Sequence, residues 1–515
     1  MVPAAATAAA VVAVFLPYLP AGPDLYVHLL WCWEVMRCLA VGALPVWLPD
    51  LNAGFGSPGI RFYSPLAPLV QGAAGLALGG AGAALRAVPV IVFGAFLMVV
   101  RRRRTSGGGA EWGIVVASPI VAYSLLGRGA WSEFLAVPLL WWLLDVAVDG
   151  DLSPRRDGVV LALLWLLHAP TTLMALVLMG LAALGAGARH SLTRLAVAAA
   201  VAGGLTAWHW LPLIGESRLM ERAALTGGSF TAARNVLGSA SAHALGETVW
   251  LGWCAVALLA AAALGRWWRH DRRRVPVLVA AVGLASPLAL PLYASASPLA
   301  LLQFPWRWLL PATVLAARPA YRALRTRRGY LAFALLLTPL VVLPTHAFVR
   351  DPGLAADTTW QAAGARVFAS MGGNPAVVDA AQNRPPSWQW LAANLALFGS
   401  RLAILEPPGG GKVEVRRWEP LRRDLEVDVA RGGEVALRLL AFPFWRATVD
   451  GIPVAVLDRR GVVAVAVPHG RHLVRVRWGG DPLARIGIAA AAVTVLALVW
   501  ECLRAARLRR GVRGV

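Results

Sequence analysis

The chain has 515 residues, 58% of them hydrophobic, a mean hydropathy of +0.62 and a formal charge of +22. That apolar content exceeds what a soluble globular chain carries, and several apolar runs are long enough to span a bilayer, so the class is an integral, mostly helical membrane protein. The arginines sit in short clusters between apolar runs rather than on one face, which marks topology and argues against a nucleic-acid partner; lysine occurs once, at Lys412.

In chain order, apolar segments fall near residues 3–19, 85–100, 112–126, 132–148, 158–167, 171–187, 195–213, 247–264, 275–293, 305–317, 330–346 and 483–503. The first lacks a basic region before it and reads as a retained anchor, with a cleaved signal peptide as the alternative. Arginine clusters at 101–104, 155–156, 189–194, 266–274, 318–328 and 504–513 predict cytoplasmic loops, with both termini cytoplasmic. Residues 22–65, 127–131, 168–170, 212–246, 293–304 and the polar region after 346 then fall outside. Parity requires 66–78 to be re-entrant or interfacial; if it spans, the 101–104 cluster moves outside.

From about 411 onward the pattern changes to period-two alternation, at 412–418, 425–429, 435–440, 447–449, 454–458, 462–467 and 472–478. Asp450-Gly451 and His469-Gly470 supply turn chemistry between these runs. The predicted fold is a polytopic α-helical membrane protein of about 12–13 spans with an extracytoplasmic β-sandwich-like domain before the last span. Its parts are a transmembrane bundle at 1–346 with a first external loop at 22–65, a mixed and β-sandwich domain at 347–482, and a final helix with a basic tail at 483–515.

Chemistry concentrates in the first loop, where Asp24, His28, Glu34 and Asp50 stand in a chain poor in acids. Gly22-Pro23-Asp24 predicts a helix start, with Pro tolerated in the first turn and Asp favourable near the positive end of the helix dipole. Asp24, His28 and Trp31 then share one helix face. Two readings stand: a carboxylate and imidazole that hold a proton, a metal or an acceptor hydroxyl, or a helix cap with a paired histidine and interfacial tryptophans. Gly54-x-Gly56-x-x-Gly59 fits a dinucleotide fingerprint by letter only, since it follows no strand and Pro58 interrupts it. The loop, with Arg61 and Tyr63, reads instead as a cradle for a phosphate or sugar ring, or as a plain connector. Cys32 and Cys38, six apart on one helix, point to different sides, and the four cysteines form no disulfide or metal framework.

The order GPDLYVH, then GALPVWLPDLNAGFGSPGIRFYSPLAPL, resembles the bacterial membrane-protein family labelled 6-pyruvoyl-tetrahydropterin synthase-related, and more remotely YfhO-type proteins and the GT-C superfamily of polyprenyl-phosphate-sugar glycosyltransferases. Arg128-Gly-Ala-Trp-Ser-Glu133, Gln303-Phe-Pro-Trp-Arg307 and Phe444-Trp-Arg-Ala-Thr-Val-Asp-Gly451 resemble further motifs of that family. The resemblance implies a GT-C-like bundle in the bacterial cell membrane and an early acidic residue, here Asp24, that contacts the acceptor or a divalent cation such as Mg or Mn. It carries no pterin chemistry, because no compact histidine-rich zinc site is present, and no WWDYG-like signature supports transfer to protein.

On this reading Asp24, His28 and Asp50 are the catalytic candidates. Arg61, Tyr63, Arg128, Glu133, His168, His209, Gln303 and Arg307 are the substrate-binding ones, with Glu216 at the same level. Charged residues at membrane depth are costly unless paired or facing a wet cavity, so Arg128, Glu133 and Arg307 are either functional or a structural ion pair. Trp360, Trp388 and Trp390 either line a carbohydrate-facing surface or cover the β-domain. The expected activity is transfer of a sugar from a polyprenyl-phosphate donor to an envelope glycan or lipid. The alternative is a non-catalytic transporter or assembly factor for a lipid-linked glycan.

Overall fold

A computed structural model describes residues 23–103, 111–112, 115, 118–122, 124–125, 128–185, 188–219, 231–237, 273–293, 298–302, 304–324, 388–407 and 410–512. The expected segments 3–19, 247–264 and 330–346, together with Gln303 and Trp360, lie outside the described residues. So does the side chain of Trp388.

The chain is mostly helical with a C-terminal β-sheet region. Its longer helices are α1 (Pro23–Ala40), α2 (Leu66–Leu78), α3 (Ala81–Arg103), α4 (Trp131–Asp149), α5 (Pro154–Leu167), α6 (Ala169–Gly185), α7 (Ala188–Gly215), α8 (Arg274–Ala285), α9 (Leu309–Leu324), α10 (Trp388–Phe398) and α11 (Pro482–Val512). Among the described residues three are long and apolar enough to cross a membrane, over Trp131–Asp149, Arg189–Gly215 and Pro482–Arg507. The number rises to five if α2 with Ala81–Phe96, bent by 114°, and α8 with Pro287–Tyr293, bent by 78°, each count as one span.

That is fewer than the twelve-odd segments expected, partly because some fall outside the described residues and partly because two are short. The runs at 158–167 and 171–187 form helices of 14 and 17 residues, about 21 and 26 Å long at 1.5 Å per residue, against an apolar core of about 30 Å. His168 causes the break between them: its backbone is extended, at φ −160° and ψ 97°, and Pro170 follows. The sharp bend after α2 fits a broken or re-entrant segment rather than a continuation of α3.

Helices α1 to α9 share one apolar core, built from residues such as Leu25, Trp31, Val35, Leu140, Leu178 and Leu315. Helix α11 packs along α7, and α4 contacts α5, α6 and α9. The β-region holds β1 (Ala403–Glu406), β2 (Gly411–Glu419), β3 (Arg422–Val429), β4 (Gly433–Leu440), β5 (Trp445–Val449), β6 (Ile452–Val454), β7 (Leu457–Arg459), β8 (Val462–Val467) and β9 (Gly470–Trp478). They form two antiparallel sheets, ordered β1-β4-β8-β7 and β2-β3-β9-β5-β6. Alternating Val and Leu from both sheets fill a second core, as the period-two pattern requires. The run expected at 454–458 divides into the ends of β6 and β7, and β1 is an additional strand.

Residues 40–65 join the two cores. Leu48 and Ser57 exchange backbone bonds across a tight loop, and that loop inserts Trp47 and Phe55 into the β-core, both fully buried. Burying a phenylalanine of this kind is worth about 1.5–3 kcal/mol. Backbone bonds add register: Leu440 N–H donates to the Phe55 carbonyl at 2.8 Å, and Arg438 Nη2 donates to the Ala53 carbonyl at 2.6 Å. On either side of the insertion, α1 and Ile60 belong to the helical core.

Candidate functional site

The helical ends meet at Arg128. Asp24 N–H donates to the Arg128 carbonyl at 2.9 Å, an approach that needs Gly129, whose φ is +69° and whose Cβ, if present, would lie 2.8 Å from Leu25 N. A side chain there would push α1 away from the loop that carries Arg128. With the backbones this close, Arg128 Nη2 reaches Asp24 Oδ2 at 2.6 Å and Arg128 Nη1 reaches Glu133 Oε2 at 3.1 Å. Arg307 Nε lies 2.9 Å from the same Glu133 oxygen, and Ser124 Oγ donates to Glu133 Oε1 at 2.7 Å. Arg307 also donates from Nη1 to the Leu302 carbonyl at 2.8 Å.

Two carboxylates and two guanidinium groups therefore form one balanced cluster where α1, α4, the α5–α6 break and the start of α9 meet. Aromatic rings close it from one side: Arg128 lies over Phe304 and Trp306, and Arg307 over Phe304. His168 Nε2 is 4.0 Å from Glu133, while its Nδ1 shares a hydrogen bond with Thr171 Oγ1 at 2.6 Å. His28 lies against Tyr63 and Trp31, edge to face, and burial pushes its imidazole down to about 4, so it is neutral at neutral pH. The side chain of Glu133 is 1% exposed and that of Arg128 9%, whereas Asp24 is 38% exposed. Asp24 is thus the open edge of an otherwise closed cluster.

Tyr63 is held by a separate relay. Trp165 Nε1 donates to His209 Nδ1 at 3.0 Å, which leaves the His209 Nε2 proton for the Tyr63 carbonyl, also at 3.0 Å. Ser64 Oγ donates to the Trp165 carbonyl and accepts from Ala169 N–H, both at 2.9 Å. The loop is therefore tied to the break that presents His168.

The sequence candidates separate in space. Asp24, His28, Tyr63, Arg128, Glu133, His168 and Arg307 come together, and His209 supports them through Tyr63. Arg61 does not join them: its guanidinium is saturated by Glu216, at 2.5 Å from Nη2 to Oε1 and 2.7 Å from Nε to Oε2, and by Asp481 at the start of α11. It lies over the Phe444 ring. Burial pushes the Glu216 carboxyl up despite those bonds. Asp50 pairs with Arg37 and takes a backbone bond from its own N–H to Glu34 Oε2 at 3.2 Å, on the side of the loop that faces the β-domain. The Asp24–His28 pairing expected from helix spacing is replaced by the Asp24–Arg128 ion pair, because a guanidinium offers a charged partner that neutral His28 does not. Trp390 donates from Nε1 to the Arg460 carbonyl at 2.6 Å and packs on Phe55, so it covers the β-domain.

Sequence reading passed over Ser124, Trp165 and Ser64, which lie in apolar runs without a motif around them. Asp481 was hidden as well, 420 residues from its partner Arg61. A divalent cation such as Mg or Mn takes six or more oxygen donors. Here both carboxylates already serve guanidinium groups, and among the described residues no three His, Cys, Asp or Glu side chains gather as a metal site. This donor set does not fit a resident cation.

Fold and site together define a mostly helical chain with helices of membrane-crossing length, a C-terminal β-sandwich and a buried four-charge cluster open at Asp24. No known family model matches the sequence, and no curated protein matches it.

Proposed function

We propose that the chain is a multi-pass glycosyltransferase of GT-C type in the bacterial cell envelope, taking a sugar from a polyprenyl-phosphate donor on the extracytoplasmic side. The observation that carries this reading is the convergence of Asp24, Arg128, Glu133 and Arg307 at one end of apolar helices, with one carboxylate open to solvent. The motif order of the first loop supports it, as does topology. The arginines of the expected inner loops, Arg274 and Arg318, pair with Asp149 at the opposite end of α4 from Glu133. About 16 residues of helix, roughly 24 Å, separate the two ends.

In this mechanism the donor lipid lies along the apolar helices and its phosphate meets Arg307 and Arg128, since guanidinium matches phosphate oxygens bidentately. Glu133 and the Phe304 and Trp306 rings hold the two guanidinium groups in place. The acceptor hydroxyl approaches through the open edge and gives its proton to the Asp24 carboxylate as its oxygen bonds to the anomeric carbon. The bond from that carbon to the phosphate oxygen breaks with both electrons going to the phosphate, whose charge the arginines stabilise. Direct displacement inverts the anomeric configuration. No step passes through a metal ion.

The test replaces Asp24→Asn and Arg307→Gln in the full chain and measures transfer from a labelled polyprenyl-phosphate sugar in vesicles. Loss of a positioned base predicts a fall of about 10²–10⁴-fold for Asp24→Asn, with the melting temperature near that of the parent. Full activity in both variants sinks the enzyme assignment and leaves the cluster as a holder of lipid-linked glycan.

A further inference from the structure

A second basic feature lies outside the cluster, on the outward face of the five-stranded sheet. Pairing across β3, β9 and β5 sets Arg422 directly opposite Arg477, and Arg477 directly opposite Arg446. Like charges directly opposite one another on a sheet are unfavourable unless a counter-charge is supplied. Arg422 has one in Asp424, at 2.6 Å. Among the described residues no carboxylate pairs with Arg446 or Arg477. The rest of the domain behaves differently: Arg416, Arg417, Arg459, Arg460 and Arg471 each pair with a glutamate. A general excess of arginine therefore does not explain the unpaired row.

Position gives the row its meaning. Strand β9 ends at Trp478 and α11 begins at Pro482. Arg485, in the first turns of α11 and also without a carboxylate partner among the described residues, donates from Nη2 to the Gly479 carbonyl at 3.1 Å. The Arg446 side chain packs on Gly479 from the sheet, where its Cγ would lie 2.7 Å from a Cβ at that glycine. Arg477, Arg446 and Arg485 thus form one band around the strand-to-helix junction, with half-buried Phe444 and Trp478 beside it. Immediately beyond Arg485 the helix turns apolar and open: Ile486 and Ile488 are each 59% exposed, and only 6% of the apolar window is buried within the molecule. On the membrane reading proposed above, that helix enters the bilayer at this point, so the band sits at headgroup depth. At most about 13 Å of extended chain separates Arg477 from Asp481.

We propose that Arg477, Arg446 and Arg485 form a docking surface for the phosphate groups of anionic phospholipids in the leaflet that α11 enters, seating the β-domain against the membrane. Charge complementarity selects this occupant, and the aromatic side chains beside the band match the amphipathic belt of an interface. The inference rests on the membrane reading but not on glycosyl transfer.

The experiment reconstitutes the full chain in phosphatidylcholine vesicles and measures, with spin-labelled lipids, the preference of the protein's lipid contacts for phosphatidylglycerol over phosphatidylcholine. A triple variant, Arg446→Gln with Arg477→Gln and Arg485→Gln, is compared with the corresponding triple lysine variant. Each arginine at an anionic surface is worth up to roughly a fivefold change in partition. The glutamine variant is expected to lose several-fold preference and the lysine variant to keep it, with the basic tail at 504–513 common to both. An unchanged preference in the glutamine variant overturns the proposal. So does loss of the parent's preference on adding inorganic tripolyphosphate at constant ionic strength, which would point to a soluble polyanion. A chain that fails to float with vesicles overturns the membrane reading, whereas one that floats without a phosphatidylglycerol preference overturns this inference alone. Asp24→Asn is expected to keep the full preference, which separates the surface from the transfer reaction.

Discussion

The first loop holds two ion clusters built from the same ingredients, and they behave in opposite ways. Around Arg128 the charges are two against two, with Asp24 reaching solvent. Around Arg61 two carboxylates share one guanidinium, and the exposures are 9% for Arg61, 7% for Glu216 and 3% for Asp481. The closed cluster has no edge at which a substrate atom could meet a charged group, and its Asp481 is further occupied in accepting bonds from Leu483 and Ala484 N–H at the start of α11. It works as a clamp joining the loop, the end of α7 and the helix below the β-domain. Ion pairing alone does not mark a reactive site; a charge that is held by its neighbours yet reaches solvent does.

The largest effect on this comparison comes from Arg61→Gln. Removing the cation leaves two buried carboxylates facing one another, and breaking a buried pair in this way costs about 3–5 kcal/mol. Thermal unfolding of the reconstituted chain should show a lowered midpoint, with transfer falling as Tyr63 loses its support two residues away. Burial already raises the Glu216 carboxyl, and a group whose folded value is raised contributes stability below its unfolded value that is lost as pH rises through the folded one. The variant should therefore regain midpoint as the buffer is acidified. An unchanged midpoint would show that the clamp is dispensable.

A smaller effect tests whether the two halves of the loop are independent. Gly56 has φ +82°, and a Cβ there would lie 2.2 Å from Trp47 Nε1. Gly56→Ala combines overpacking with left-handed strain, together about 2–3 kcal/mol. Because Trp47 and Phe55 belong to the β-core while Asp24 belongs to the helical one, amide exchange should accelerate in β4 and β5 and transfer should change little. A matching loss of transfer would mean that the β-domain positions Asp24.

Local rules made part of this architecture readable. Alternation placed most strands within a few residues, since a half-buried strand must alternate, and Gly22-Pro23-Asp24 marked the start of α1. The six-residue spacing from Arg128 to Glu133 was visible as a motif because both charges sit at one helix start. Partnerships across long separations were not readable: helix spacing offered Asp24 only His28, whereas its ion-pair partner lies 104 residues away. Arg61 looked like a free cation in a glycine-rich loop because nothing local names Asp481 or Glu216. Strand β1 was missed since its four residues, Ala403 to Glu406, are too few to establish a period. Trp47, in a polar loop, read as an interfacial anchor and instead fills the second core.

An exposed pair in the β-domain supplies the baseline against which both buried clusters can be judged. His472 Nδ1 and Asp450 Oδ2 lie 2.6 Å apart, and the Leu473 N–H donates to Asp450 Oδ1 at 2.8 Å. The hydrogen bond to Asp450 raises His472 above its usual 6.5, and the Leu473 N–H followed by His472 holds Asp450 below its usual 3.8. The His472 contribution is fully present below 6.5 and is lost as pH rises through the raised value, whereas that of Asp450 is present above 3.8 and is lost as pH falls through the depressed one. Stability from the pair should plateau between those two limits, and by the general weakness of exposed ion pairs it should amount to about 1 kcal/mol or less. Exchange of the β9 amides, corrected for intrinsic rates, should speed up modestly as pH rises past neutrality, and His472→Gln should flatten that dependence. A pH dependence that survives the substitution would assign it to another group and remove the pair as a baseline.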